Sequence, residues 1–209
     1  ARSACALATS CKDLKASSPA LGDGIYTLDP DGAGANEPLE AFCEMTTDGG
    51  GWTFVAHVNQ DFAGGKLFEE DVGTYRADRV DDDRTYARGS AILRHLLHRQ
   101  AMVTIDAPDP GAGATKVVFF EYPIGHPAFT LGPIPCQALN LYGFRTALTG
   151  ASQTGGASDK CDNQGWHATG GGAALTRLTS VGGPTKGMFW GAGMGGDNSW
   201  GHDGYWYAR

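Results

Sequence analysis

The sequence predicts an α+β, loop-rich domain with small antiparallel sheets and few short helices, held together by disulfide and metal staples. Three observations predict it. First, Gly49, Gly50 and Gly51 run straight into Trp52-Thr53-Phe54-Val55, which has the β-branched and aromatic content of a central strand. Three successive glycines are costly to order, so they belong where side chains would clash or where φ must be positive. Second, the 32 glycines cluster after residue 111 without collagen's period of three, and five Trp, seven Tyr and nine Phe supply the apolar mass of an ordered fold. Long irregular connections of this kind need staples. Third, only about Gly89 to Arg99 carries a helical apolar face (Ile92, Leu93, Leu96, Leu97), with Ser90 as its cap.

The elements follow in order. Ser10 caps a short helix; Gly24 to Leu28 form a strand, Asp29-Pro30-Asp31-Gly32 a turn, and Leu39 to Met45 a second strand. Trp52-Thr53-Phe54-Val55 is the core strand, His57 follows it, and after Val58 the pattern dissolves into a loop over Asn59 to Gly65. Met102 to Asp106 and Thr115 to Tyr122 read as strands split by a Pro/Gly turn. Gly150 to Gly204 reads mostly as loop, and Gly204 to Arg209 as a closing strand.

A chain of 209 residues is most simply one domain. Its net charge of −7 argues against a nucleic-acid partner, whose phosphates need a basic face. No apolar run approaches the roughly 20 residues that span a bilayer. Cys5, Cys11, Cys43, Cys136 and Cys161 form no Cys-x-x-Cys pair, which speaks against zinc ribbons and thioredoxin-type centres. An odd cysteine in an oxidising compartment suggests an intermolecular bridge or a reactive thiol.

The run Phe42-Cys43-Glu44-Met45-Thr46-Thr47-Asp48-Gly49-Gly50-Gly51-Trp52-Thr53 resembles the signature of fibrinogen-like recognition domains and the related intelectins (X-type lectins). Ser10-Cys11-Lys12-Asp13-Leu14 and Gly24-Ile25-Tyr26-Thr27-Leu28 are similar to that family's opening subdomain. The family's central Trp-x-x-Tyr-Lys-x-Gly-Phe-Gly segment is absent, so the chain reads as a divergent, shorter relative. The resemblance implies a fibrinogen C-terminal-like fold, stapled by disulfides and calcium. Residues 1–9 form an extension, and residues 10–209 one domain with an opening subdomain at 10–55 and a ligand and calcium loop region at 150–204. It implies a Cys11–Cys43 bridge. A local Cys136–Cys161 bridge would pair two more, leaving Cys5 for an interchain link or a free thiol; a Cys5 link would make a homo-oligomer. The implied location is secreted, extracellular.

For catalysis, the histidines (His57, His95, His98, His126, His167, His202) show no His-Glu-x-x-His, and Gly-x-Ser-x-Gly and P-loop motifs are missing. His95 and His98 fall three apart, a pair without a third ligand nearby. Calcium wants six to eight oxygens, and two clusters offer them. One is Asp159-Lys160-Cys161-Asp162-Asn163-Gln164-Gly165-Trp166-His167; the other is Gly195-Gly196-Asp197-Asn198-Ser199-Trp200-Gly201-His202-Asp203-Gly204. Neither has EF-hand spacing, and Asp, Asn and Gly are also what ordinary turns are made of.

The resemblance implies calcium in this C-terminal region, and in intelectins a histidine just after the corresponding strand helps hold a structural calcium. The implied metal ligands are Asp159, Asp162, Asn163, Asp197, Asn198, Asp203, His57 and Asn59. A sugar wants an aromatic platform beside polar groups, which makes Trp200, His202, Tyr205 and His167 the ligand-binding set. Trp52, Trp190, Trp206 and Tyr207 are left to the core. The expected function is therefore a non-enzymatic, Ca2+-dependent lectin for cell-surface or microbial glycans. One alternative is a protein-binding adhesion module with purely structural calcium. The other is a metal-dependent hydrolase using His167, His202 and the Asp residues.

Overall fold

The structure, a computed structural model, describes residues 6–59, 71–80, 84–88, 100–110, 116–121, 144–146, 152–153, 160–162, 165–170, 173–177, 188–190 and 199–209. The one described helix, α1 (Cys11–Ser17), starts at Ser10 as expected. Ser10 Oγ accepts from the Asp13 N–H at 3.1 Å and donates to the Asp13 carboxylate at 2.9 Å, so cap and first turn satisfy each other. The expected helix at 89–99 lies outside the described residues.

Strands β1 (Gly24–Leu28), β2 (Leu39–Glu44) and β3 (Trp52–Val58) match the predicted ones closely. They are followed by β4 (Asp71–Val72), β5 (Tyr86–Arg88), β6 (Gln100–Ile105) and β7 (Lys116–Glu121). Then come β8 (Phe144–Thr146), β9 (Ser152–Gln153), β10 (Lys160–Asp162), β11 (Gly165–Gly170) and β12 (Ala173–Arg177). The last are β13 (Met188–Trp190), β14 (Ser199–His202) and β15 (Gly204–Ala208). The larger antiparallel sheet runs β1-β2-β3-β15-β6-β7-β8-β9, with β5 also on β3 and β4 on β5. A second antiparallel sheet runs β10-β11-β12-β13-β14. The expectation of mostly loop over 150–204 is corrected: β9 to β14 fall inside it. Their lengths of two to six residues, separated by glycines, leave no long alternating run for a sequence reading to find.

β15, the closing strand, is inserted between β3 and β6, so the end of the chain completes the middle of the sheet. Every residue of β3 and of β15 is buried. Their rings form the core, with Phe54 packed against Tyr75, Tyr86 and Tyr207 at centroid distances of 5.8, 6.2 and 5.3 Å. Trp52 and Tyr207 lie in this core, and Trp206 is buried too. The side chain of Trp190 lies outside the described residues.

The turn before β3 is built as the triple glycine demands. Gly49, Gly50 and Gly51 all have positive φ, at 86°, 72° and 81°. A Cβ on Gly50 would fall 2.1 Å from the Met45 carbonyl oxygen, and one on Gly51 would fall 3.0 Å from Lys12 Cα. The buried Glu44 carboxylate accepts from the N–H groups of Thr46 and Thr47 and from the Thr46 hydroxyl, at 3.1, 2.7 and 2.6 Å. The Cys11–Cys43 disulfide ties α1 to β2 with a Cα–Cα distance of 5.4 Å. Cys5 and Cys136 lie outside the described residues, and with them the proposed Cys136–Cys161 bridge.

Candidate functional site

Two of the predicted ligands, His57 and Asp203, come near each other where β3 ends and β15 begins, and a third, Asn59, follows directly on β3. The register pairs Gly204 with Val58 and Tyr205 with His57. His57 is fully buried; its Nδ1 faces the Arg84 carbonyl oxygen at 2.8 Å, so this nitrogen carries the hydrogen and donates. The other ring nitrogen is Nε2. It makes no hydrogen bond and lies 4.0 Å from Asp203 Oδ1, whose side chain is 16% exposed. The Asn59 N–H donates to Thr85 Oγ1 at 3.0 Å, which fixes the strand end against the segment before β5. The Asp106 N–H donates to the Asp203 carbonyl oxygen at 3.0 Å, so β6 also reaches this end of the sheet.

His57 Nε2 and Asp203 Oδ1, 4.0 Å apart, are spaced as a His–carboxylate pair and are the two predicted ligand side chains the structure brings near each other. They fall short of a calcium shell, which needs six to eight ligands. Among the described residues no group of three His, Cys, Asp or Glu side chains converges. Asp159, Asn163, Asp197 and Asn198 lie outside the described residues. For Asp162 in β10, His167 in β11, and Trp200 and His202 in β14, only the strand position is described. Asp162 pairs with Gly165, His167 with Lys160 and Arg177, and His202 with Met188.

Tyr205 is a correction. A sugar platform must be reachable, yet Tyr205 is 1% exposed, and its ring stacks on His57 at 4.6 Å between centroids. It belongs to the core because residues alternate along β15 and both faces of that strand are covered.

The sequence reading missed a second feature. A groove of about 670 Å³ opens between β1 and β2 on one side and residues 73–78 and 84–86 on the other, lined by Ile25, Glu40, Tyr75, Arg76, Arg84 and Tyr86. Arg76 holds Asp78 through two contacts, at 3.1 and 2.8 Å, and this hydrogen-bonded pairing holds the Asp78 carboxyl below its usual range. Arg79 anchors the same segment. Its guanidinium lies 3.3 Å over the Phe42 ring, donates to Tyr207 Oη at 3.1 Å and pairs with Asp109 at 2.6 Å. Positive φ at Arg79 (58°) and Gly73 (57°) marks the bends, and only Gly73 was visible as a glycine.

With this geometry in hand, the chain can be set beside known proteins. Residues 8–107 match the family model of the fibrinogen beta and gamma chains' C-terminal globular domain. That stretch holds α1, β1 to β6 and the disulfide, and its fold is fibrinogen-C-like: among the described residues, antiparallel sheet with one short α-helix and the Cys11–Cys43 bridge. Mouse angiopoietin-4 is 27% identical over 116 residues, which is 55% of this chain and 22% of that protein. The chain thus spans about a fifth of the length of this relative. Among solved structures, the fibrinogen-like globe domain of human ANGPTL6 is 16% identical with a TM-score of 0.48, covering 97% of this chain and 95% of that one. A lamprey fibrin D-dimer, complexed with the peptide ligand Gly-His-Arg-Pro-amide, is 15% identical with a TM-score of 0.46, covering 100% and 75%.

Proposed function

We propose that this chain is a secreted, non-enzymatic recognition module whose ligand is a protein. The observation that carries the reading is the family match over residues 8–107, the fold of fibrinogen-like recognition domains. The likeness to an angiopoietin favours a protein ligand over a glycan. The Cys11–Cys43 disulfide supports an oxidising, extracellular setting, where such bridges persist.

A second reading, Ca2+-dependent glycan binding, is favoured by one observation: two of the predicted ligands, His57 Nε2 and Asp203 Oδ1, lie 4.0 Å apart. On that reading the calcium ligands are drawn from His57, Asn59, Asp159, Asp162, Asn163, Asp197, Asn198 and Asp203. Bound calcium would offer coordination positions to vicinal hydroxyls, with Trp200, His202 and His167 beside the sugar. The burial of Tyr205 counts against it, since one of the expected walls is missing.

The test is to present the purified chain, multimerised on beads, to an array of extracellular protein ectodomains and to a glycan array, each with calcium and with EDTA. Saturable binding to an ectodomain that free sugars do not displace is expected. Binding confined to glycans and lost in EDTA would replace the first reading with the second. A melting temperature that falls in EDTA without loss of protein binding would make the calcium structural.

A further inference from the structure

We propose that the chain cuts itself at the Asp29–Pro30 peptide bond in acidic surroundings, giving a two-chain form that the Cys11–Cys43 disulfide holds together. The sequence carries two Asp-Pro bonds, Asp29–Pro30 and Asp109–Pro110. Proline makes the bond before it a tertiary amide with no N–H. An aspartate carboxyl can reach its own main-chain carbonyl carbon by closing a succinic anhydride ring. The structure sets the two bonds in different surroundings.

At Asp29 the groups this step needs lie in the turn that joins β1 to β2. The Asp29 carbonyl oxygen accepts the Gly32 N–H at 3.0 Å, so a donor already stands where negative charge develops under attack. The Asp29 N–H donates to the Ala8 carbonyl oxygen at 2.9 Å and Pro30 is buried, which holds the bond in place. Asp29 Oδ1 is shielded from water and makes no hydrogen bond, so nothing occupies an attacking oxygen. The charged groups acting on this carboxyl, Asp31 and Glu37, are both acidic. Shielding from water, then Asp31, push the Asp29 carboxyl above its ordinary value, so it keeps its proton in milder acid. Asp109 lacks this freedom. Its Oδ1 is held by the Arg79 guanidinium at 2.6 Å, and attack on its own carbonyl must first break that ion pair.

The step balances with water alone. An Oδ–C bond forms to the Asp29 main-chain carbonyl carbon, the C–N bond to Pro30 breaks, and the carboxyl proton goes to the departing proline nitrogen. One water then opens the anhydride, leaving both carboxyls of Asp29 and a new Pro30 N-terminus. The cut falls between Cys11 and Cys43, so the disulfide and the β1–β2 pairing keep the pieces together. The exposed stretch 33–38 becomes part of a free arm leading into β2.

The experiment holds the purified full chain at about pH 7 and at the lowest pH where circular dichroism still shows the native fold, with a parallel sample in urea. Fragments are identified by intact mass before and after reduction. In folded protein at the lower pH, Asp29–Pro30 should cleave at least about tenfold faster than Asp109–Pro110. Fragments 1–29 and 30–209 should separate only on reduction. In urea the two bonds should cleave at similar rates, because the turn and the Arg79 pair are gone. Asp29→Asn should abolish the cut. Asp31→Asn still offers an amide oxygen to the Asn36 N–H groups that Asp31 Oδ2 now accepts at 3.1 and 2.7 Å. It should slow the cut and move its pH profile toward stronger acid. Equal rates at the two bonds in folded protein, a preference that persists in urea, or no cut at Asp29–Pro30 would each overturn the proposal. So would an unchanged pH profile in natively folded Asp31→Asn. The comparison of folded and urea-held wild-type chain decides even if a variant misfolds.

Discussion

Gly50 holds a φ of 72° with no room for a side chain, since a Cβ would meet the Met45 carbonyl oxygen at 2.1 Å. Gly50→Ala combines positive φ with a backbone clash and is expected to cost at least about 2 kcal/mol, read by urea unfolding. Gly49 is the contrast: at φ 86° its nearest neighbour is an Arg209 nitrogen at 3.9 Å, so Gly49→Ala should be the milder change. Glu44 has a role of the same kind. Removing the carboxylate in Glu44→Ala leaves the Thr46 and Thr47 N–H groups without their acceptor, an expected loss of about 2 kcal/mol in the same assay. Arg79→Ala strips the cover from Phe42 and a partner from Tyr207 Oη. Its ion pair with the half-exposed Asp109 adds little. The expected cost of about 2–3 kcal/mol comes from packing, so Arg79→Lys should not restore it.

At the scale of the element, β15 depends on the residue that follows it, Arg209. Arg209 donates to the carbonyls of Asp48 and Gly50, at 2.7 and 2.9 Å, pairs with Asp48 at 3.1 Å and lies 4.0 Å over the Trp52 ring. Arg209→Ala should lower the melting temperature by about 2–4 °C, followed by circular dichroism, the shift expected for about 1 kcal/mol in a chain of this size. This clamp could not be read from the sequence, because it joins residues 161 apart. What was legible were elements with local signals. The Ser10 cap, the β1–turn–β2 hairpin and the strand after three glycines each announce themselves within a few residues. The β10 to β14 sheet was missed for the opposite reason: its strands are short and glycine-bounded. At the site, His57 was flagged as following the core strand, whereas β3 runs on through it to Val58. Tyr205 was misassigned because a loop-edge aromatic and a buried one look alike until β15 is seen to lie between β3 and β6.

For the whole molecule, the buried tyrosines set the alkaline limit. Burial raises the Tyr75 phenol well above its ordinary value, and burial likewise raises that of Tyr207, with Arg79 opposing it. A folded-state pKa raised above the unfolded one stabilises fully below about pH 10, and that stability is lost as pH rises beyond it. Stability should therefore hold to about pH 10 and then fall. Absorbance titration should show exposed tyrosines ionising first, with Tyr75 and Tyr207 following only on unfolding. Ionisation of all tyrosines together near pH 10 in folded protein would contradict the packing. Reduction of Cys11–Cys43, which closes a sequence separation of 32, should remove about 3 kcal/mol.

The larger question is what this fold meets outside itself, and it is most directly tested on cells that bind the multimerised chain. Portions of those cells are pretreated with protease or with a glycosidase mixture, and binding is measured by flow cytometry with calcium and with EDTA. A protein-recognition module should lose its binding after protease and keep it after glycosidase, whatever the fate of calcium. Binding that survives protease but disappears with glycosidase and EDTA would contradict the account and identify the chain as a calcium-dependent lectin.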